Sequence, residues 1–297
     1  MTKERFSEFL LLLLAMIWGA AFVAGKFALE GVSPLWILVI RFFLSSILLV
    51  IPVYRELGRV NSATLQGGIL VGALMAASIA FQIVGLQYTT PANQTFICVS
   101  YVVTVPLILW AITKERPKAH TLAGAVFVFT GVGLLSLQGL HMGFGDFLTL
   151  IYAILFAIQV IVISHYMGRV PSPMLFTSIQ MFVAGVVSLV LALISGDPIL
   201  TGPVTSRVWG GMFYLVVLNT SVAYFIQNYA QQYARPDTSV IILSSEVIFG
   251  ALFAYFLAGE VFTPRKILGC LLVIFGIFLA QILPKLRKSR DLRGISG

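Results

Sequence analysis

Long apolar segments separated by short polar turns occupy almost the whole chain. An α-helix needs about 20 apolar residues to span a bilayer, and charges, prolines and polar turns divide this sequence into ten such segments. They are Glu8–Lys26, Pro34–Tyr54, Leu65–Leu86, Ala92–Ile112, Thr121–Leu137, Asp146–Tyr166, Met174–Ser195, Val208–Gln231, Ser239–Leu257 and Ile267–Leu283. The connections are too short to hold a soluble domain. The pattern therefore predicts an all-α integral membrane protein with ten transmembrane helices.

The composition argues against a soluble protein. Of the 297 residues, 59% are hydrophobic and 10% are charged, whereas soluble domains carry roughly 25% charged residues. The net charge of +8 would favour nucleic-acid binding in a soluble chain, but the basic residues cluster at helix ends and in the tail, as membrane topology requires. We therefore expect no nucleic-acid partner. Cys98 and Cys270 lie in apolar runs and indicate neither a disulfide nor a metal site.

The basic residues of the turns predict an orientation. With a cytoplasmic amino terminus, the inside segments and the carboxyl tail hold 14 Lys and Arg residues and the outside turns hold 4. Positive charge accumulates on the cytoplasmic side of membrane proteins. We therefore expect both termini in the cytoplasm and a location in the cytoplasmic (inner) membrane.

The chain repeats itself at an offset of 145 residues. Phe81–Leu135 aligns without a gap with Ile226–Ala280, and 13 of the 55 positions are identical, against about four expected by chance. The earlier spans match more weakly at offsets of 138 to 139. Five helices in each half would place the second half upside down. We predict inverted repeats at 1–140 and 141–284, followed by a basic cytoplasmic tail at 285–297; secondary transporters commonly use this architecture and bind substrate between the halves.

Two charged side chains lie inside predicted spans. A carboxylate at membrane depth is costly and normally faces a partner or a watery cavity. Glu246 could therefore bind a cationic group, exchange a proton or hydrogen-bond to a neighbouring helix. Arg41 could pair with Glu246, attract a substrate carboxylate or extend toward the interface.

A polar stripe runs along the predicted eighth helix. It comprises Tyr224, Gln227, Asn228 and Gln231. These spacings share one helix face, which must turn away from lipid and either line a cavity or cross-link helices. The repeat pairs Gln82 with Gln227 and Tyr101 with Glu246, and so predicts these four residues near one central axis.

We add two amides of the sixth and seventh helices and one tryptophan, which could stack on a ligand or pack in the core. The candidate substrate-binding residues are Trp18, Arg41, Gln82, Tyr101, Gln159, Gln180, Tyr224, Gln227, Asn228 and Glu246. No residue is predicted to be catalytic or to bind a metal.

Small residues predict close helix contacts. Gly68 and Gly72 form a GxxxG motif, and Gly250 begins a similar stripe in the ninth helix; such motifs let helices approach each other, and we expect these contacts within each half. The turn residues Glu115 and Glu260 are predicted to cap helices or to pair with Arg116 or Arg265.

Weak motifs recur in order in both halves. They are Trp18-Gly19 with Phe22 and Lys26, Pro34 with Arg41, Lys114-Glu115-Arg116 with Gly124 and Gly131, Ala223-Tyr224, Ser245-Glu246, and Gly259-Glu260 with Thr263, Gly269 and Gly276. Together they resemble the EamA-type transporters of the drug/metabolite transporter superfamily over nearly the whole chain. Val247 departs from the proline that this family often carries. The resemblance implies export or exchange of small metabolites, amino acids or drug-like compounds, without an ATP-binding domain.

The sequence thus predicts a secondary active transporter, working by alternating access with a central site between the repeats. It would bind a small-molecule substrate within the lipid bilayer, with a proton as a candidate coupling ion and no cofactor; a homodimer is compatible with the sequence. The alternative is a channel or facilitator, which would favour rings of like residues. An intramembrane enzyme is less favoured, because the sequence contains no H-E-x-x-H, G-x-S-x-G or Walker lysine motif.

Overall fold

Several helices begin at a hydroxyl residue followed by proline. Thr90-Pro91, Ser172-Pro173 and Thr263-Pro264 each place proline in the first turn, and each hydroxyl accepts a hydrogen bond from the backbone two residues after the proline. Proline needs no backbone partner at that position, and the hydroxyl satisfies one of the free amides of the first turn. The sequence therefore sets these helix starts locally.

The computed structural model describes residues 3–114, 116, 119–138, 141–233, 239 and 242–279. Its helices are α1 Lys3–Ala28, α2 Pro34–Val50, α3 Ser62–Gln87, α4 Pro91–Cys98, α5 Tyr101–Thr113, α6 Ala119–Ser136, α7 Phe144–Met167, α8 Pro173–Ser195, α9 Ser206–Phe213, α10 Ala223–Gln231, α11 Glu246–Ala258 and α12 Pro264–Ile277. A 3₁₀ segment, Ile51–Arg59, extends α2, and a π-helix, Tyr214–Val222, joins α9 to α10. The short strands β1 Leu137–Gln138 and β2 His141–Met142 pair antiparallel.

The helices have the length and composition of membrane spans. Seven helical stretches within the described residues are long and apolar enough to cross a membrane, and Leu122–Gly131 and Glu246–Ala258 are shorter apolar helices. Large apolar side chains such as Leu193 and Phe256 are exposed on the outside of the bundle. The chain is therefore an α-helical integral membrane protein, as the sequence predicts. The predicted basic tail lies outside the described residues.

Two of the predicted spans are interrupted at equivalent places. The fourth breaks at Val99–Ser100 between α4 and α5, and the ninth breaks at Ser244–Ser245 before α11. Ser100 and Ser245, which are 145 residues apart, have nearly the same backbone angles (φ −57°, ψ −15° and φ −65°, ψ −12°). The breaks place Tyr101 and Glu246 as the first residues of α5 and α11.

Helices α6 and α12 meet through a reciprocal glycine contact. A Cβ atom on Gly131 would lie 2.6 Å from the carbonyl oxygen of Gly269, and one on Gly276 would lie 2.6 Å from that of Gly124. The offset of 145 residues relates Gly131 to Gly276 and Gly124 to Gly269. The two contacts are therefore related by an approximate local two-fold axis.

The other small-residue contacts differ from the prediction. Gly72 packs against the Gln180 carbonyl in α8, and Gly250 packs against Thr95 in α4. These pairs join helices of opposite predicted halves, so the expectation of contacts within each half is wrong. A short motif reveals that a helix can be approached closely, but it does not identify the partner helix.

The turn residue Glu260 caps a helix, which is one of the two roles predicted for it. Its Oε1 accepts a hydrogen bond from the backbone N–H of Ala92 at 3.0 Å, and its Oε2 lies 3.5 Å from the Nζ of Lys266. The carboxylate therefore caps the amino terminus of α4, a helix 168 residues away, and also pairs with Lys266. Glu115, its repeat mate, lies outside the described residues.

The glycine contact generates a stability prediction. Gly131→Ala and Gly276→Ala should each lower the free energy of unfolding by about 1–3 kcal/mol, because the added methyl group forces the two backbones apart. The two losses should be similar, since the contacts are equivalent. Gly210→Ala is the matched control, because a Cβ there meets nothing within 4 Å. Thermal unfolding of the detergent-purified variants measures these differences; a Gly131→Ala protein as stable as Gly210→Ala would contradict the tight contact.

Candidate functional site

A small polar cavity lies inside the bundle. It has a free volume of about 40 Å³, room for two or three water molecules at roughly 15 Å³ each. It is lined by Trp18, Ala21, Phe22, Gly25, Arg41, Ile79, Gln82, Ile83, Leu86, Gln94, Tyr152, Leu215, Asn219, Tyr224 and Glu246. These residues come from both predicted halves of the chain, and they include one basic and one acidic side chain.

Arg41 is held in place by the π-helix. The side chain is 3% exposed, and its Nε donates a 2.9 Å hydrogen bond to the Oγ1 of Thr220. The Thr220 hydroxyl in turn donates to the carbonyl of Leu215, five residues earlier. Ser45, one turn after Arg41 on α2, donates to the Val216 carbonyl of the same segment. The π-helix therefore anchors α2 and holds the guanidinium group at the cavity.

Glu246 meets its repeat mate at the cavity. The Tyr101 hydroxyl donates to the Glu246 Oε1 at 3.2 Å, and both residues are buried. The two residues face each other because each is the first residue after an equivalent helix break. Among the described residues no ion pair joins Arg41 to Glu246, so the two opposite charges line the same cavity with separate hydrogen-bond partners.

Four aromatic side chains form a layer beside the cavity, which we call the aromatic layer: Trp18, Tyr101, Phe156 and Tyr224. The Trp18 ring lies 5.6 Å from the Phe156 ring and 5.7 Å from the Tyr224 ring, and Tyr101 lies 4.9 Å from Phe156. Aromatic pairs at these distances pack favourably. Tyr152 stacks on Phe156 at 5.6 Å and extends this cluster along the cavity wall.

Gln82 and Gln94 connect α3 to α4 at the cavity. The Gln94 Nε2 donates to the Gln82 carbonyl at 2.6 Å and to the Thr149 hydroxyl at 3.3 Å. The Gln82 Nε2 contacts the Cys98 sulfur at 3.7 Å. The remaining amide oxygen of Gln94 is buried without a hydrogen-bond partner.

Half of the predicted site residues line the cavity, and the others do not. Those that line it are Trp18, Arg41, Gln82, Tyr224 and Glu246. Tyr101 does not line the cavity, but it donates a hydrogen bond to Glu246, which does. The other four side chains are buried but do not line it: Gln159, Gln180, Gln227 and Asn228. Gln159 and Gln227 each come one turn after a member of the aromatic layer, Phe156 and Tyr224.

Three polar lining residues, Gln94, Tyr152 and Asn219, were not predicted from the sequence. Tyr152 shares a helix face with Phe156 and Gln159 at spacings of four and seven, so this periodicity could have revealed it. Asn219 precedes Tyr224 by five residues, which do not share a face in an α-helix. A π-helix closes each turn with an i→i+5 bond, and sequence periodicity gives no signal of that change.

The chemistry of the cavity suits a small polar molecule. A guanidinium group can bind a carboxylate, the Glu246 carboxyl group can accept a hydrogen bond or bind a cation, and the aromatic faces can stack on an apolar or cationic part. No group of His, Cys, Asp and Glu side chains within the described part of the chain could hold a metal ion.

Comparisons with known proteins identify a transporter family. The sequence profile of the EamA-like transporter family matches residues 5–137 and matches again at residues 143–281. An uncharacterized transporter of Archaeoglobus fulgidus is 28% identical over 281 residues, which cover 94% of this chain and 87% of that protein. The uncharacterized transporter YyaM of Bacillus subtilis is 22% identical and is covered over 92% of both chains. One crystal structure, 15% identical, superposes with a TM-score of 0.67 over 93% of this chain and 97% of its own, which shows a shared fold.

The Arg41–Thr220 contact generates a second stability prediction. Thr220→Val should lower the free energy of unfolding by about 1–3 kcal/mol, because it leaves a buried guanidinium N–H without its acceptor. Thr220→Ser retains the hydroxyl and should be close to the parent protein. The thermal midpoints of the two variants in detergent test this; equal midpoints would show that the hydroxyl does not hold Arg41.

Proposed function

Because this chain belongs to the EamA-like transporter family, we propose that it is a secondary active transporter, an exporter or exchanger of small metabolites, amino acids or drug-like compounds. The observation that carries the proposal is the cavity, in which Arg41 and Glu246 lie at membrane depth with aromatic and amide side chains around them. Charged residues inside a membrane protein are costly and usually mark a substrate or ion pathway.

Two inverted five-helix repeats, 1–140 and 141–284, would place this cavity between the halves. The reciprocal contact of Gly131 and Gly276 supports this relation, as does the hydrogen bond between Tyr101 and Glu246, which are 145 residues apart. The equivalent breaks at Ser100 and Ser245 support it further. In inverted-repeat transporters, broken helices commonly form the substrate site near the bilayer midplane.

The size of the cavity supports alternating access. Ligand sites for drug-sized molecules have volumes of roughly 300–1,000 Å³, whereas this cavity has about 40 Å³. A metabolite would therefore enter only after the helices move apart. Rocking of the two halves about their interface would open the cavity first to one side of the membrane and then to the other.

The proposed placement in the membrane follows the charge distribution. Both termini would lie in the cytoplasm, since the basic residues concentrate on that side. With this orientation the Glu260–Lys266 turn lies outside. We propose the cytoplasmic (inner) membrane as the location.

Transport should be saturable and should show counterflow. A thermal-shift screen of amino acids, nucleosides and other small metabolites would first select a compound that stabilises the purified protein, because a ligand of the folded state raises its stability. Proteoliposomes loaded with that compound should then accumulate its radiolabelled form above the level of empty liposomes. Uptake that rises linearly with concentration and lacks counterflow would favour a channel or facilitator instead.

Glu246→Gln should separate gradient-driven uptake from exchange. The amide retains an acceptor for the Tyr101 hydroxyl but cannot take up or release a proton, so proton-driven uptake should be lost while counterflow persists. Glu30→Gln is the matched control, because Glu30 is a partly exposed carboxylate that pairs with Arg207. Uptake measured over a range of pH tests the role; an unchanged pH dependence in Glu246→Gln would mean that this carboxyl group does not carry the proton.

A further inference from the structure

Four buried amides lie on α7 and α10, and none of them lines the cavity. Gln159, Gln227 and Asn228 are fully buried and Gln231 is nearly so. Helix α10, which carries the last three, packs against α7 and α8. We call these four residues the amide cluster.

The polar atoms of the amide cluster are largely unsatisfied. Neither amide atom of Gln159, Gln227 or Gln231 has a hydrogen-bond partner among the described residues, and the same holds for the Oδ1 of Asn228. Only the Asn228 Nδ2 is well paired; it donates to the Thr177 hydroxyl at 2.7 Å and to the Gln180 Oε1 at 3.0 Å. The Gln180 Nε2 meets only the Met75 sulfur, at 3.0 Å, and a thioether is a weak acceptor.

This arrangement is unfavourable for a purely structural contact. A buried amide without partners loses its hydrogen bonds to water and gains none, so an apolar side chain of similar size would stabilise the same position better. Membrane helices offer no water from the lipid side to compensate. Several unpaired glutamines in one place therefore indicate a site that meets polar molecules in another conformation.

The position of the amide cluster continues the path from the cavity. On α7, Tyr152 lines the cavity, Phe156 belongs to the aromatic layer, and Gln159 comes three residues later. Along the other wall, Asn219 lines the cavity, Tyr224 belongs to the layer, and Gln227 comes three residues later. Both helical segments therefore run past the aromatic layer in the same direction, and each reaches its glutamine about one turn beyond the layer.

We propose that the amide cluster is a second polar binding site on the transport path. The aromatic layer separates it from the cavity, and it is closed in this conformation. It would bind neutral hydrogen-bonding groups of a small molecule, such as hydroxyl, amide or carbonyl groups, because glutamine and asparagine offer both donors and acceptors without charge. Trp18 touches both Phe156 and Tyr224, so a shift of α1 or α10 would connect the two sites. The proposal rests on the transport function proposed above.

Chemical accessibility tests the proposal without a known substrate. In a background with Cys98→Ala and Cys270→Ala, Gln227→Cys should react with a positively charged, membrane-impermeant methanethiosulfonate reagent. The reagent is itself a small polar solute, and the reaction should proceed from the membrane face at the carboxyl end of α10. Ile248→Cys is the control, because this half-exposed apolar position on α11 faces lipid. A Gln227→Cys protein that reacts no faster than Ile248→Cys from either face would overturn the proposal.

Thermal stability provides the second measurement. Gln227→Leu should leave the thermal midpoint unchanged or raise it, since it removes an unpaired amide. Asn228→Leu, at the neighbouring position, should lower the midpoint, since it removes two hydrogen bonds. If Gln227→Leu lowers the midpoint as much as Asn228→Leu does, Gln227 is a structural residue and the proposal fails. Absence of counterflow in the parent protein would instead refute the transport function, and the labelling result is independent of that assay.

Discussion

Hydrocarbon cannot form hydrogen bonds, and this constraint accounts for the arrangement of nearly every polar side chain in the bundle. Arg41, Glu246 and five of the glutamines are buried inside the bundle, where protein groups can meet them. The same constraint gives the π-helix its importance, because Thr220 satisfies the Nε of Arg41 and is itself satisfied by a carbonyl five residues back. Among the described residues, seven buried polar atoms without such partners belong to the amide cluster, and single unpaired atoms lie at Ser33, Gln94 and Ser188.

Close backbone contacts determine which helices can bring these polar groups together. Glycines in α3, α6, α11 and α12 permit approaches that a single added methyl group would prevent. Several of these approaches join helices of the two predicted halves, so the wall of the cavity is assembled from distant parts of the chain. Glu260 makes a similar long-range connection by capping the first turn of α4.

The internal repeat carried much of the information about the site that could be read from the sequence. The 145-residue offset pairs Tyr101 with Glu246, and the two side chains do meet by a hydrogen bond. The same offset pairs Gln82 with Gln227, yet these residues lie on opposite sides of the aromatic layer. Sequence symmetry predicts which positions are equivalent, but the packing of large rings such as Trp18 and Phe156 decides which of them share a cavity. Asn219 could not be predicted, because its place on the cavity wall depends on the π-helical turn.

Apolar run lengths by themselves determined that this chain is a helical membrane protein, prolines marked several helix starts to within a few residues, and the motifs of both halves determined which family it resembles. These are local properties, set by the need to span hydrocarbon with satisfied backbone groups and by the caps that start each helix. The tertiary structure alone decided that Gly72 and Gly250 face α8 and α4, that Thr220 holds Arg41, and that an aromatic layer divides the predicted polar residues into two groups. Those features depend on contacts between residues far apart in the sequence, and local patterns do not encode which partners meet.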